Sequence, residues 1–288
     1  MLKRLPFLCA ALLALAACSH DSDTGSAAQQ AAPTATSSAE AVPASTATSG
    51  TAPATAGSTV AAAPATTTSG APAPAVADAP FVDDGKWVEG KNYFRIDPAQ
   101  PTSHPGKIEV TEVFSYGCPA CNGFHSTADQ IARSLPPNAV MNYLAASFRP
   151  DENWPMYQRA FYAAQALNLV GKTHDAMFDA VWKSGELSTY DLKASGLKPR
   201  SAWPTIEDAA KFYAKYGVDP KEFVGVANSF TVNTKMKRAD DLMKAYAVDS
   251  TPTMIVNGKY RFTASSAGGY AQSIELTQWL VAKEAAGK

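Results

Sequence analysis

Alternating and helical hydrophobic patterns follow one another from residue 81 onward. The segment 108–114 is rich in β-branched residues and predicts a strand. Four of its side chains are expected on one face: Ile108, Val110, Glu112 and Phe114. After Gly117 the spacing becomes helical, and Pro136-Pro137 end this predicted helix. Its apolar stripe consists of Phe124, Ala128, Ile131 and Leu135. The segment 140–148 predicts a further strand, so the pattern indicates a strand–helix–strand unit.

Between residues 151 and 246 the pattern predicts helices only. Asp151 is expected to cap a helix with Pro155 in its first turn, and Thr205 to open another. A third helix is expected to start with Asp219 as its N-cap and Pro220 as its first helical residue. The spacing predicts these inward-facing residues: Met177, Phe178, Val181, Trp182, Ile206, Ala209, Phe212, Tyr213, Phe223, Ala227, Phe230, Met236, Leu242 and Met243.

Strands return near the C-terminus. Asn257-Gly258, between segments 253–256 (TMIV) and 259–262 (KYRF), predicts a hairpin with a type I′ turn, and 270–285 predicts a last helix. The expected fold class is therefore α/β. One domain would be formed by residues 81–149 and 247–288, and an all-helical insertion, residues 150–246, would interrupt it.

The first 80 residues have a different composition. Lys3 and Arg4 precede an apolar run, residues 5–17, that is too short to span a bilayer, so residues 1–17 predict an export signal. Leu15-Ala16-Ala17-Cys18 resembles a bacterial lipobox, in which Cys18 is lipidated; ordinary cleavage after a small residue is the alternative. Ser19 after the cysteine favours the outer membrane, at its periplasmic face.

Residues 18–80 are dominated by Ala, Pro, Thr and Ser, with almost no large apolar side chains. Such a segment cannot bury enough surface to offset its ordering entropy, so it predicts a disordered tether between a membrane anchor and the folded domain. The formal net charge of −1 gives no indication of a nucleic-acid-binding surface.

The positions of the four cysteines indicate which of them could take part in a reaction. Cys9 lies in the predicted signal and Cys18 at the predicted lipid site, which leaves Cys118 and Cys121. A bridge between them closes too small a loop to stabilise the fold much, so a chemical role is favoured. Structural zinc is the rival interpretation, but it requires four ligands and the chain has no second CxxC motif. We therefore expect no metal.

Cys118-Pro119-Ala120-Cys121 falls where a predicted strand ends and a helix begins. Free backbone amides and the helix dipole stabilise an anion there, which lowers the pKa of Cys118 below the free-thiol value of about 8.5. A thiolate is the attacking species in disulfide exchange. We expect Cys118 to be exposed and reactive, and Cys121, one turn further, to be a buried resolving thiol.

Two segments resemble the DsbA family. Val113–Phe124 (VFSYGCPACNGF) looks like its active-site strand and helix start, and Val248–Tyr260 (VDSTPTMIVNGKY) is similar to its proline loop and hairpin. The helical block matches in position that family's insertion into a thioredoxin fold. The resemblance covers residues 81–288.

This resemblance implies roles for individual residues. Cys118 would be the nucleophile and Cys121 the resolving cysteine, while Pro252 would be a cis-proline facing them. Thr251, Pro119 and Ala120 would contact the substrate. Without the resemblance, Pro252 would be expected to be an ordinary trans proline at the start of a strand, because cis X–Pro bonds are a small minority in folded proteins.

Two further residues, Glu112 and Ala120, are expected to affect the reactivity of the cysteine pair. Glu112 lies six positions before Cys118. On an apolar face its pKa would be raised and it could exchange a proton with Cys121; a solvated edge carboxylate is the alternative. Ala120 stands where the strongly oxidising members of the DsbA family have a histidine. Losing that cationic partner is expected to raise the pKa of Cys118 and make the disulfide less oxidising, unless His125 compensates.

The implied function is a periplasmic thiol–disulfide oxidoreductase that introduces disulfides into reduced, exported proteins. It would need no cofactor, and a DsbB-like membrane quinone oxidoreductase would reoxidise it. Two alternatives stay open. One is a reductase or isomerase kept reduced by a membrane donor; the other is a non-redox periplasmic chaperone or binding module.

Overall fold

The computed structural model describes residues 81–288, so the predicted signal, tether and lipidated Cys18 lie outside the described residues. Five strands form a mixed sheet: β1 (Phe94–Arg95), β2 (Ile108–Phe114), β3 (Ala139–Ala145), β6 (Thr253–Val256) and β7 (Tyr260–Thr263). Their order across the sheet is β1-β7-β6-β2-β3. Only β2 and β3 run parallel, because a helix, α1 (Pro119–Ser134), makes the crossover between them; the other neighbours are antiparallel.

Eight α-helices accompany this sheet in residues 81–288. They are α1 (Pro119–Ser134), α2 (Trp154–Ala166), α3 (Val170–Trp182), α4 (Ile206–Ala214), α5 (Pro220–Ala227), α6 (Phe230–Ala245), α7 (Ala264–Ala267) and α8 (Tyr270–Ala285). Two predicted caps are confirmed. The Thr205 side chain accepts from the Asp208 amide at the start of α4, and Asp219 accepts from two amides of α5 ahead of Pro220. None of the helices in this part of the chain has the length and apolar character needed to cross a bilayer.

The helical block departs from the prediction in three places. A small antiparallel pair, β4 (Tyr190–Asp191) and β5 (Gly196–Leu197), lies within it, so it is not all helical. Asp151 does not cap α2: it lies in a 3₁₀ turn, and Asn153 is the N-cap. Phe230 is 86% exposed, because the chain turns after α5 and this residue begins a new helix with its own buried face.

The central strand β2 is buried on both faces, although its alternation predicted only one apolar face. Val110 belongs to a core cluster with α1 and α8, whereas Val113 belongs to a cluster built largely from the helical block. A strand with neighbours on both edges and helices on both faces has few exposed positions, which explains why even Glu112 is 1% exposed. Glu112 therefore lies in the protein interior and not at a solvated edge of the sheet.

Candidate functional site

The CPAC segment lies at the start of α1. Cys118 is the N-cap residue, and its Sγ accepts a hydrogen bond from the Cys121 amide at 3.3 Å. The pKa of Cys118 is lowered from 9.0 to about 6, first by its hydrogen bond with the Cys121 thiol and further by Thr251 and the amides of Cys121 and Ala120. Near neutral pH this sulfur is therefore mostly a thiolate, as expected at a helix N-terminus.

Cys118 is less exposed than predicted. Only 4% of its surface is accessible, while Pro119 and Ala120 beside it are exposed. The prediction of an open sulfur was wrong because another loop covers it: Cys118 Sγ lies 3.5 Å from the carbonyl oxygen of Thr251, to which the sulfur donates when it is protonated. An attacking group therefore has to approach between the CPAC turn and this loop.

Cys121 is fully buried one turn into α1. Burial raises its pKa well above 9.0, and the neighbouring Cys118 thiolate raises it further. Both cysteines are free thiols in this structure. The pair is thus electronically unequal, with one sulfur that favours the thiolate and one that retains its proton.

The loop that faces Cys118 is positioned by strand pairing. Strand β6 runs antiparallel to β2, with Thr253 opposite Val113, so the residues just before β6 lie beside the end of β2 and the CPAC turn. The Thr251–Pro252 peptide bond is cis, which confirms the predicted geometry of Pro252. The role of this loop in substrate binding stays a prediction.

Glu112 lies in the interior beneath the cysteines. Both of its carboxyl oxygens are buried and have no hydrogen-bond partner among the described residues. Burial, followed by the negative charge of Cys118, raises its pKa to about 8. The alternative of a solvated edge carboxylate is wrong for this side chain. At neutral pH it is mostly protonated and is chemically able to donate a proton.

No histidine stands between the cysteines, and His125 is engaged elsewhere. Its Nδ1 lies 2.7 Å from the carbonyl oxygen of Asn122, and its ring stacks on Phe178 with centroids 5.1 Å apart. Whether it compensates for Ala120 stays a prediction. Among residues 81–288, no group of three His, Cys, Asp or Glu side chains is arranged to hold a metal ion.

Sequence reasoning missed the aromatic surroundings of the site. A Cβ on Gly117 would lie 2.9 Å from Tyr157 and 3.0 Å from Trp154, so the residue before Cys118 has no room for a side chain. Tyr143 of β3 is paired in register with Glu112, and its ring lies against His174. Only the predicted parallel pairing of β2 and β3 could have pointed to Tyr143; nothing local indicates the others.

A reactive CxxC at a helix start, opposite a cis-proline loop on a mixed sheet, defines a thioredoxin-fold thiol–disulfide oxidoreductase. A thioredoxin family model (Thioredoxin_4) matches residues 105–275. The thiol:disulfide interchange protein DsbA of Pseudomonas aeruginosa PAO1 is 34% identical over 200 residues, which is 69% of this chain and 87% of that protein. The chain belongs to the DsbA family.

Solved structures agree with this assignment. The crystal structure of Pseudomonas aeruginosa DsbA matches with a TM-score of 0.60 and 34% identity, over 71% of this chain and 97% of that one. The DsbA oxidoreductase from Xylella fastidiosa matches with a TM-score of 0.61 and 29% identity, over 69% and 98%. The expected fold class, a thioredoxin-like domain with a helical insertion, is therefore confirmed.

Proposed function

We propose that this protein oxidises dithiols of exported proteins in the periplasm through the pair Cys118 and Cys121. A substrate thiolate attacks Cys118 Sγ in the Cys118–Cys121 disulfide, Cys121 leaves, and a second substrate thiolate releases Cys118. Two electrons pass from the substrate sulfurs to the pair. The observation that carries this proposal is the position of Cys118 at the N-terminus of α1, where its Sγ accepts a hydrogen bond from the Cys121 amide. This environment lowers the pKa of Cys118, and a stabilised thiolate leaves readily from the mixed disulfide.

Thr251, Pro252, Pro119 and Ala120 form the proposed substrate surface. The two residues after Cys118 are exposed, and the Thr251 carbonyl oxygen already faces the sulfur. An extended substrate placed between the turn and the loop has access to both. Glu112 is proposed to exchange a proton with Cys121 in each half-reaction.

The test uses oxidised protein and a reduced peptide with two cysteines, and it follows peptide disulfide by mass spectrometry. We expect stoichiometric oxidation by the wild type and none by Cys118→Ser. Cys121→Ser is expected to accumulate a mixed disulfide with small disulfides through Cys118. A non-redox binding module would show no transfer in any of these proteins, which would refute the proposal.

A reductase or isomerase is the second candidate, favoured by Ala120 in place of histidine. Trapping the thiols in intact cells distinguishes the two. Mostly oxidised protein supports the oxidase, and its reduction on loss of a DsbB-like membrane quinone oxidoreductase would identify the regenerating partner. Mostly reduced protein would support a membrane reductant instead.

Membrane attachment through Cys18 is also proposed. The support is the lipobox-like sequence and the Ala/Pro/Thr/Ser composition that follows it. We expect labelled fatty acid to be incorporated into the wild type and not into Cys18→Ser, with Cys9→Ser as the matched control. Separating inner from outer membranes then tests the outer-membrane assignment. Release of unlabelled wild type into the soluble fraction would contradict the anchor.

A further inference from the structure

A cavity lies between α1, α3 and β3. It is bordered by Asp129, Tyr143, His174 and Asp175 and has a volume of about 170 Å³. Asp175 is exposed and Asp129 is partly exposed, so this side of the protein meets solvent. A polar space of this size holds several water molecules.

We propose that this cavity is the path by which Glu112 exchanges protons with solvent. The inference rests on the proposed function of Cys118 and Cys121 and adds the route to it. Neither Cys121, at 0% exposure, nor Glu112, at 1%, touches solvent directly. A substrate bound through Cys118 would cover the CPAC turn, so a proton route on another side of Glu112 would stay open during the reaction.

The geometry leads from Glu112 to the cavity. Glu112 and Tyr143 are register partners on the parallel strands β2 and β3, which places their side chains on the same face of the sheet. Tyr143 lies against His174, with ring centroids 4.5 Å apart, and both residues border the cavity. Tyr143 thus connects the strand position of Glu112 to the cavity wall.

His174 supplies a second, independent observation. Its Nδ1 lies 3.0 Å from the Tyr116 hydroxyl, whereas its Nε2 is buried and has no partner among the described residues. An orphan ring nitrogen at a polar cavity is a natural partner for water. Because burial lowers the pKa of His174 to about 3, the ring is neutral and can accept a hydrogen bond.

Charged groups of both signs lie on this side of the protein. Burial and the nearby carboxylate of Asp175 raise the pKa of Asp129, while the charges of Arg133 and His125 oppose this shift, and Lys172 also borders the cavity. No basic side chain forms a salt bridge with Glu112 among residues 81–288. The titratable groups that interact with Glu112 from the packed elements are Tyr116, Cys118, Cys121, Asp129 and Tyr143.

Each half-reaction moves one proton along this path. When a substrate thiolate attacks Cys118, the disulfide breaks, its electron pair goes to Cys121, and Cys121 takes a proton from Glu112. Glu112 then recovers a proton through the cavity. In reoxidation, Glu112 first releases this proton to solvent through the cavity, and the resulting carboxylate takes the proton of Cys121. The Cys121 thiolate then attacks Cys118 in the mixed disulfide, and the partner thiolate leaves.

A pair of glycine substitutions tests the route. Gly171 borders the cavity and Gly225 lies on α5; both are exposed, helical, and have open space where a Cβ would be. Gly171→Leu places a side chain at the cavity, and Gly225→Leu is the matched control. Tyr143→Phe removes only the hydroxyl at the cavity wall and provides a second variant.

Reduced protein is mixed with oxidised glutathione, and acid-quenched samples are analysed by mass spectrometry. We expect wild-type rates of mixed-disulfide formation in every variant, but a resolution step slowed about threefold or more in Gly171→Leu and Tyr143→Phe. The equilibrium redox potential should not change, because blocking a path alters rates only. Gly225→Leu should match the wild type.

Two outcomes are decisive against the proton route, and a third would refute the proposed function instead. Wild-type resolution rates in both cavity variants would overturn the route. A redox potential that shifts together with the rate would show that the cavity acts structurally or electrostatically. Failure of the wild type itself to form the mixed disulfide would refute the proposed function, which is a separate result.

Discussion

Replacing Glu112 by glutamine is expected to change how stability depends on pH. The pKa of this carboxyl is raised from 4.5 to about 8 in the folded protein, chiefly by burial and then by the charge of Cys118. An unfolded chain releases the proton near the lower value, whereas the folded protein retains it until the higher one. The unfolded state therefore binds fewer protons between these pKa values. As a result, the free energy of unfolding falls as pH rises through this window.

The expected size of this effect follows from the two pKa values. Between about pH 5 and pH 8, the proton linkage of Glu112 removes about 3 kcal/mol of stability. The lowered pKa of Cys118 acts in the opposite direction at the upper end of this range, since a thiol that ionises more easily when folded adds stability as pH rises above about 6. Cys118 is present in both proteins, so the difference between Glu112→Gln and wild type isolates the carboxyl.

Urea denaturation of the reduced proteins measures this difference. The advantage of Glu112→Gln over the wild type should grow by about 3 kcal/mol between about pH 5 and pH 8. Glu207→Gln, which makes the same chemical change at an exposed position on α4, serves as control and should give a flat difference. A difference for Glu112→Gln that stays constant across this range would refute the assignment of a protonated, buried Glu112.

Three further predictions concern the loop, the turn and the hairpin. Thr251→Val should raise the pKa of Cys118, because the threonine side chain beside the sulfur lowers it; the ultraviolet absorbance of the thiolate as a function of pH measures this. Ala120→His should lower the same pKa and make the disulfide more oxidising, which equilibration with glutathione measures. Gly258→Ala should destabilise the protein by about 1–3 kcal/mol in urea denaturation, since its Cβ would lie 2.1 Å from a backbone carbonyl oxygen; unchanged stability would contradict the close packing of this turn.

Local chemistry explains what the sequence predicted well. The Asn257-Gly258 turn has positive φ at both residues, 53° and 65°, as a type I′ hairpin requires. The α4 and α5 caps depend on side chains within three residues of the amides they bind. The CPAC turn likewise depends on adjacent residues only, so its position at the start of α1 could be predicted.

Features that depend on distant segments could not be predicted in the same way. The burial of Cys118 arises from Thr251, which lies 133 residues further along the chain, beyond the helical block. The spacing of Phe230 from Phe223 and Ala227 is that of a core residue on the same helix. The chain turns before Phe230, however, so this residue begins α6 and is exposed instead of buried. The cavity bordered by Tyr143 and His174 brings together α1, α3 and β3, and no single sequence window contains that arrangement.

The central claim is that Cys118 and Cys121 form an oxidising redox pair even with alanine at position 120. Equilibrating the purified protein with glutathione buffers and quantifying the two thiols tests it most directly. The account predicts a potential well above about −200 mV, because the Cys118 thiolate is stabilised at a helix N-terminus. A potential near that of thioredoxin, about −270 mV, would contradict the oxidase and favour the reductase.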